Sequence, residues 1–200
     1  IRLCSLFLSL LRIAYAASGE TTSVSKGVPT QSCLPQYLGA RTDGKKENPP
    51  WAPDGFKQTL ITVNGRFPGP LLEANWGDMV EVTTHNNITD PEEGTAMHWH
   101  GIHQQDTGLM DGVSGITQCP SVPGGSFTYR WNASTYGSTW YHGHHALQYG
   151  GALCCPLIIY GPSHVHVDFD LGPVTLSDYY HYPYEKLGFD AISTSNDTIV

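Results

Sequence analysis

Along much of this chain apolar and polar positions alternate with the two-residue period of a strand, and no long stretch follows the 3.6-residue period of a helix. Residues 79–85, Met-Val-Glu-Val-Thr-Thr-His, are the clearest case and predict a half-buried strand. Residues 59–63 predict a strand that runs into the turn pair Asn64-Gly65. Further strands are expected over 96–101, over 126–131 after Gly124-Gly125, and over 139–144. Residues 153–160 form a continuous apolar run, the pattern of a strand buried on both faces. Pro68-Gly69-Pro70 and Gly161-Pro162 interrupt the chain between such segments. Short strands at this spacing predict an all-β unit, a sandwich or a barrel.

Organisation follows from the same texture. Residues 17–54 are rich in Ser, Thr, Gly, Pro and Lys and read as an extended arm, and 55–162 as the first all-β domain. Residues 163–173 read as a linker, and the strand-like segment 174–180 opens a second domain over 174–200. The chain reaches Val200 too early to complete a second sandwich, and it begins with Ile1 instead of Met, so both ends are expected to continue beyond the 200 residues.

Composition narrows the reading. Charged residues are 14% of the chain against about 25% in an ordinary soluble domain, and 22 Gly with 14 Pro fit a turn-rich fold. A formal net charge of -8 argues against a nucleic-acid partner, because phosphate binding needs a basic face. Residues 3–13 are mostly apolar and lead into Ala14-Tyr15-Ala16, so 1–16 reads as a secretory signal with its small-residue cleavage site. The run is too short to span a bilayer. The expectation is a secreted, extracellular product with no membrane partner. Sequons at Asn87, Asn132 and Asn196 fit a glycoprotein. Of the five cysteines, Cys4 leaves with the signal, and Cys33, Cys119, Cys154 and Cys155 permit three pairings. Adjacent Cys154 and Cys155 face opposite ways on a strand and are not expected to bond to each other.

The chemistry lies in the histidines. Six of the ten fall between residues 98 and 145. In His98-Trp99-His100 the two imidazoles share one face of a strand while Trp99 turns to the other, and His142-Gly143-His144 repeats the pattern. Side by side, the two segments would offer four neutral nitrogen donors, a set suited to copper, zinc, iron or nickel. Neither segment carries the thiolate of a structural zinc site or the carboxylates of a calcium or magnesium site. His164-Val165-His166 has the same spacing and reads as a solvated linker pair, and His85, His103, His145 and His181 read as surface or hydrogen-bonded residues. A zinc hydrolase would call for an H-E-x-x-H helix, a motif not found in the chain.

The ordered blocks resemble the multicopper oxidases, most closely secreted fungal laccases. They are Asn64-Gly65-x-Phe67-Pro68-Gly69-Pro70, Trp76-Gly77-Asp78, His98-Trp99-His100-Gly101-Ile102-x-Gln104, Met110-Asp111-Gly112-Val113, Thr117-Gln118-Cys119-Pro120, Tyr141-His142-x-His144 and Gln148-Tyr149-Gly150. The resemblance covers roughly residues 56–182. It implies a cupredoxin-like Greek-key β-sandwich followed by the start of a second cupredoxin domain. It further implies a full enzyme of three such domains, with a blue copper in the third and a trinuclear copper cluster between the first and third. By position, His98 resembles a ligand of the type 2 copper, His100 and His142 ligands of one type 3 copper, and His144 a ligand of its partner. Asp111 matches an acidic residue that delivers protons to oxygen, and Cys119 a cysteine that in many laccases bridges to the third domain. The implied reactants are dioxygen and small phenolic or aromatic reductants, with lignin degradation as one setting. The facing ligands would come from carboxy-terminal domains of the same chain. A ferroxidase or ascorbate oxidase relative, or a non-catalytic copper-binding module, are the competing readings. Cys154-Cys155 and His145 depart from the family pattern, and a free thiol beside copper would be a hazard for oxidation or stray ligation.

Overall fold

The computed structural model describes residues 36–38 (as backbone), 52–88 and 92–193. The expected signal segment 1–16, most of the arm 17–54, Cys4, Cys33 and the sequon at Asn196 lie outside the described residues. The described elements are seven strands and one helix: β1 (Gln36–Leu38), β2 (Leu72–Asn75), β3 (Met79–Asn86), β4 (Met97–Trp99), β5 (Ser126–Asn132), β6 (Gly137–Gly143), β7 (Cys154–Tyr160) and α1 (Tyr184–Ser193), with a single 3-10 turn at Gly108–Met110.

The strands form a three-stranded sheet ordered β1-β3-β5 and a four-stranded sheet ordered β2-β7-β6-β4. From β1 to β6 the chain changes sheet at every step, and only β6 and β7 pair as sequence neighbours. Such crossing connections are those of a Greek-key sandwich, in which each strand lends one face to a shared core. β3 keeps the predicted alternation, with Val80, Val82, Thr84 and Asn86 buried, and β7 is buried along nearly its whole length.

One aromatic cluster joins the two sheets. Trp99 of β4 is fully buried, with its ring 5.3 Å from Tyr129 and 5.4 Å from Trp131 of β5, and 5.7 Å from Tyr141 of β6. The Met97 amide donates to the Tyr129 hydroxyl at 2.9 Å, which satisfies a polar group that the core would otherwise strand. Trp99 therefore anchors β4, the strand that carries His98 on its opposite face.

Several expected elements differ. Residues 59–63 are buried at Leu60, Ile61 and Val63 but form no ladder among the described residues. Their hydrogen bonding runs from the Ile61 amide to Gly151 and through a Val63–Arg66 bridge. The turn itself is as predicted, with Asn64 and Gly65 both at positive φ, 53° and 69°, as a type I′ turn requires. β2 has no counterpart among the expected strands, because its four residues alternate too briefly to register as a pattern. β1 gives the arm a strand, paired in parallel with β3. Residues 174–180 are irregular instead of a strand, and α1 follows them. Pro183, which fits the first turn of a helix, is the sequence signal that marks its start.

Candidate metal centre

Pairing between β4 and β6 builds the site. Met97, His98 and Trp99 stand opposite Gly143, His142 and Tyr141 in an antiparallel ladder. Directly opposed residues point to the same face, so His98 meets His142 on one side while Trp99 and Tyr141 enter the core on the other. The ring centres of His98 and His142 are 5.2 Å apart. His144, placed by its amide bond to the Ala96 carbonyl at 2.8 Å, brings its ring to 5.1 Å from His98. His100 lies 5.7 Å from His98 and 5.6 Å from His142. The four histidines thus form one cluster. One nitrogen from each of His98, His100 and His142 falls within 4.8 Å of the others, the one such metal-competent triad among the described residues.

Hydrogen bonds orient the rings. His98 Nδ1 lies 2.7 Å from the Asp111 carbonyl oxygen and 3.3 Å from its carboxylate Oδ1. A carbonyl can only accept, so Nδ1 carries the proton and Nε2 keeps its lone pair free. His142 Nδ1 is 3.0 Å from the Gly143 carbonyl, with the same consequence for its Nε2. That Nε2 in turn lies 3.4 Å from His100 Nδ1. Two imidazole nitrogens bound at about 2.0–2.1 Å to a tetrahedral ion would be about 3.4 Å apart, so the spacing suits a shared cation as well as it suits a weak hydrogen bond.

The electrostatics favour the uncharged form of His142 and His100. Burial, with lesser contributions from His98, His100 and His144, holds His142 down at about 3. His100 is also lowered, first by burial and then by His98 and His144. Neutral imidazole is the form that ligates metal. Trp140 covers the His142 ring at 3.9 Å and 23°.

Close backbone packing sets the Asp111 carbonyl in place. Gly112 has φ +75°, and a Cβ there would meet the Met97 carbonyl oxygen at 1.7 Å. Only glycine lets this loop lie against β4. The Asp111 side chain is 27% exposed, with Oδ1 3.3 Å from His98 Nδ1.

The remaining histidines lie elsewhere. His85 pairs with Ser126, His145 with Ser114 and His181 with Asp54, while His103 and His164 are exposed and His166 lies near Asp168. Cys119, Cys154 and Cys155 are free thiols. Cys155 is opposite Tyr141 and faces the core; Cys154 is opposite His142 and therefore on the histidine face. Alternation along a strand puts only one of the two thiols on the site's face, and the β6–β7 register decides that it is Cys154. Burial pushes the Cys154 thiol up to about 12, which keeps it protonated and a poor ligand.

A profile of the multicopper oxidases matches residues 46–164, well over half of the chain. This chain belongs to the multicopper oxidase family. Laccase-1 of Botryotinia fuckeliana is 40% identical over 182 residues, which is 86% of this chain and 32% of that protein. Dihydrogeodin oxidase of Aspergillus terreus is 52% identical over 130 residues, 65% of this chain and 21% of that protein. The crystal structure of a laccase from Botrytis aclada aligns with a TM-score of 0.56 at 43% identity, over 64% of this chain and 22% of that one. The sandwich is accordingly cupredoxin-like. The chain spans about a fifth to a third of the length of these relatives. Multicopper oxidases are copper oxidoreductases that use oxygen and a reductant, and the all-imidazole donor set found in this chain fits copper.

Proposed function

We propose that this chain supplies one wall of the oxygen-reducing copper cluster of a laccase-like multicopper oxidase. The whole protein would couple one-electron oxidation of phenolic substrates to four-electron reduction of dioxygen to water. The observation that carries this reading is the β4–β6 register, which gathers His98, His100, His142 and His144 on one face inside a family-matched domain. Both named relatives are oxidases, one of them a laccase. The chain's short span of its relatives supports placing the facing ligands in further cupredoxin domains of a longer polypeptide.

In this reading His98 would hold the type 2 copper, His100 and His142 one type 3 copper, and His144 the other. Copper, when bound, supplies one-electron redox chemistry. The protein residues do the rest. The Asp111 carbonyl fixes the His98 ring, Trp140 shields the His142 ring from water, and the Asp111 carboxylate, partly open to solvent, passes protons inward. Reduction of one dioxygen to two waters consumes four protons, so a dry site needs such a route. Secretion with removal of 1–16, glycosylation at Asn87 and Asn132, and a domain division at 163–173 belong to the same proposal. Both asparagines are exposed, as glycan attachment demands.

The test has two arms. These 200 residues should bind copper with nitrogen ligation visible by electron paramagnetic resonance, yet oxidise no phenol. A longer product carrying the facing domains should consume oxygen when given a phenol. Absence of copper binding by the shorter chain would overturn the ligand assignment; phenol turnover by it alone would overturn the shared-wall reading.

A further inference from the structure

The ladder that aligns the two histidine segments is short: β4 pairs with β6 through three residues. So short a ladder adds little of its own to the register, which the buried Trp99 face and contacts beyond the ladder's end must secure, and a slip would separate His98 from His142. A side-chain clamp sits just beyond its end. Gln148 is fully buried and lies in the turn after the second histidine pair. Its Oε1 accepts from Thr95 Oγ1 at 2.7 Å, and its Nε2 donates to the Gly94 carbonyl and to Glu93 Oε1, both at 2.8 Å. Residues 93–95 lead directly into β4 and the first histidine pair. Tyr184, at the start of α1, donates to the same Glu93 Oε1. Both polar ends of the Gln148 amide are therefore engaged on the opposite loop.

We propose that Gln148 is a positioning residue, which holds the two His-x-His segments at metal-binding spacing by tying the loop after β6 to the loop before β4. The inference rests on the four-histidine copper reading. A buried amide satisfied on one specific partner set has one low-energy register, because any slip leaves its donors and acceptor unpaired in the core. Groups that orient metal ligands alter metal affinity by about 10- to 100-fold when removed, and Gln148 does so through the two loops it joins.

The test uses the full 200-residue chain, Cu(II), and competition with a chromophoric chelator, alongside electron paramagnetic resonance and urea unfolding of the metal-free forms. Gln148→Leu keeps the volume and removes the clamp. Thr95→Val removes one hydroxyl and keeps the shape, so it carries the test if Gln148→Leu does not fold. Both variants should weaken copper binding, Gln148→Leu by about 10- to 100-fold, with a changed copper spectrum. The double variant should lose less than the two single losses combined. Copper affinity and spectrum unchanged in the folded variants, with only urea stability lowered, would reduce Gln148 to a structural role and overturn the proposal. No copper binding by the unsubstituted chain would instead remove the four-histidine reading beneath it.

Discussion

His98 and His142 stand directly opposite each other in the β4–β6 ladder, with ring centres 5.2 Å apart and each Nδ1 bonded to a backbone carbonyl. Both rings thus present Nε2 to the same space. Replacing His142 by alanine removes the most enclosed of the four donors. Copper affinity should fall by at least about 100-fold, more than the loss expected from removing a group that merely orients a ligand, whereas His164→Ala, at an exposed position, should leave it unchanged. Chelator competition measures both. Equal losses in the two variants would remove the special standing of the cluster.

Gly112 should tolerate no side chain. Gly112→Ala places a methyl 1.7 Å from the Met97 carbonyl oxygen and requires alanine at φ +75°. Backbone must move, which displaces the Asp111 carbonyl from His98. A loss on the order of 3 kcal/mol or more in urea unfolding is expected, together with weaker copper binding. A stability within about 0.5 kcal/mol of the parent, the range of an ordinary surface change, would contradict the packing described.

Acid should destabilise the metal-free chain through the histidine face. His142 titrates near 3 in the folded protein against the usual 6.5. Between those values the unfolded chain holds a proton that the folded chain does not, so stability rises with pH across the window and is lost as pH falls from 6.5 toward 3. His100, lowered by burial, adds in the same direction. The size is on the order of a few kcal/mol. Urea midpoints of the parent and of His142→Gln, followed from pH 7 to pH 4, isolate the contribution. Parallel pH dependences in the two proteins would refute it.

The thiols should react at very different rates. Cys119 is exposed, while Cys154 and Cys155 are buried and their thiols are pushed up by burial. An aromatic disulfide reagent should label Cys119 in the native chain and reach the other two only on unfolding, as mapped by mass spectrometry. Rapid native labelling of Cys154 would mean that the histidine face is open to solvent.

Ala152 is the converse of Gly112: a residue with a side chain where the backbone favours none. It is buried at φ +80°. Ala152→Gly should relieve about 1 kcal/mol of backbone strain and raise the urea midpoint. A lower midpoint would show that the buried methyl contributes more than the strain costs.

Much of this architecture is written in local pattern. The alternation in 79–85, the Asn64-Gly65 turn and the apolar run at 153–160 are properties of neighbouring residues, and each became the expected element. Two His-x-His segments could likewise be read as pairs, because period two is intrinsic to a strand. Elements whose definition needs a distant partner were not legible. β1 and β2 exist through parallel pairing with β3 and β7, and residues 59–63 meet no strand to complete a ladder among the described residues.

By itself, then, the sequence determined which histidines come in facing pairs, that the fold is all-β, and which family the blocks belong to. Tertiary structure decided the rest. It placed His98 opposite His142 and His144 near His98. It set the Asp111 carbonyl on the His98 ring, turned Cys154 rather than Cys155 toward the site, and made Gln148 a bridge between segments more than fifty residues apart. The reason is physical. Side-chain direction along a strand follows from local geometry, but the register between strands is fixed by burial of the Trp99, Tyr129 and Tyr141 face and by hydrogen bonds that exist only after the sheets close.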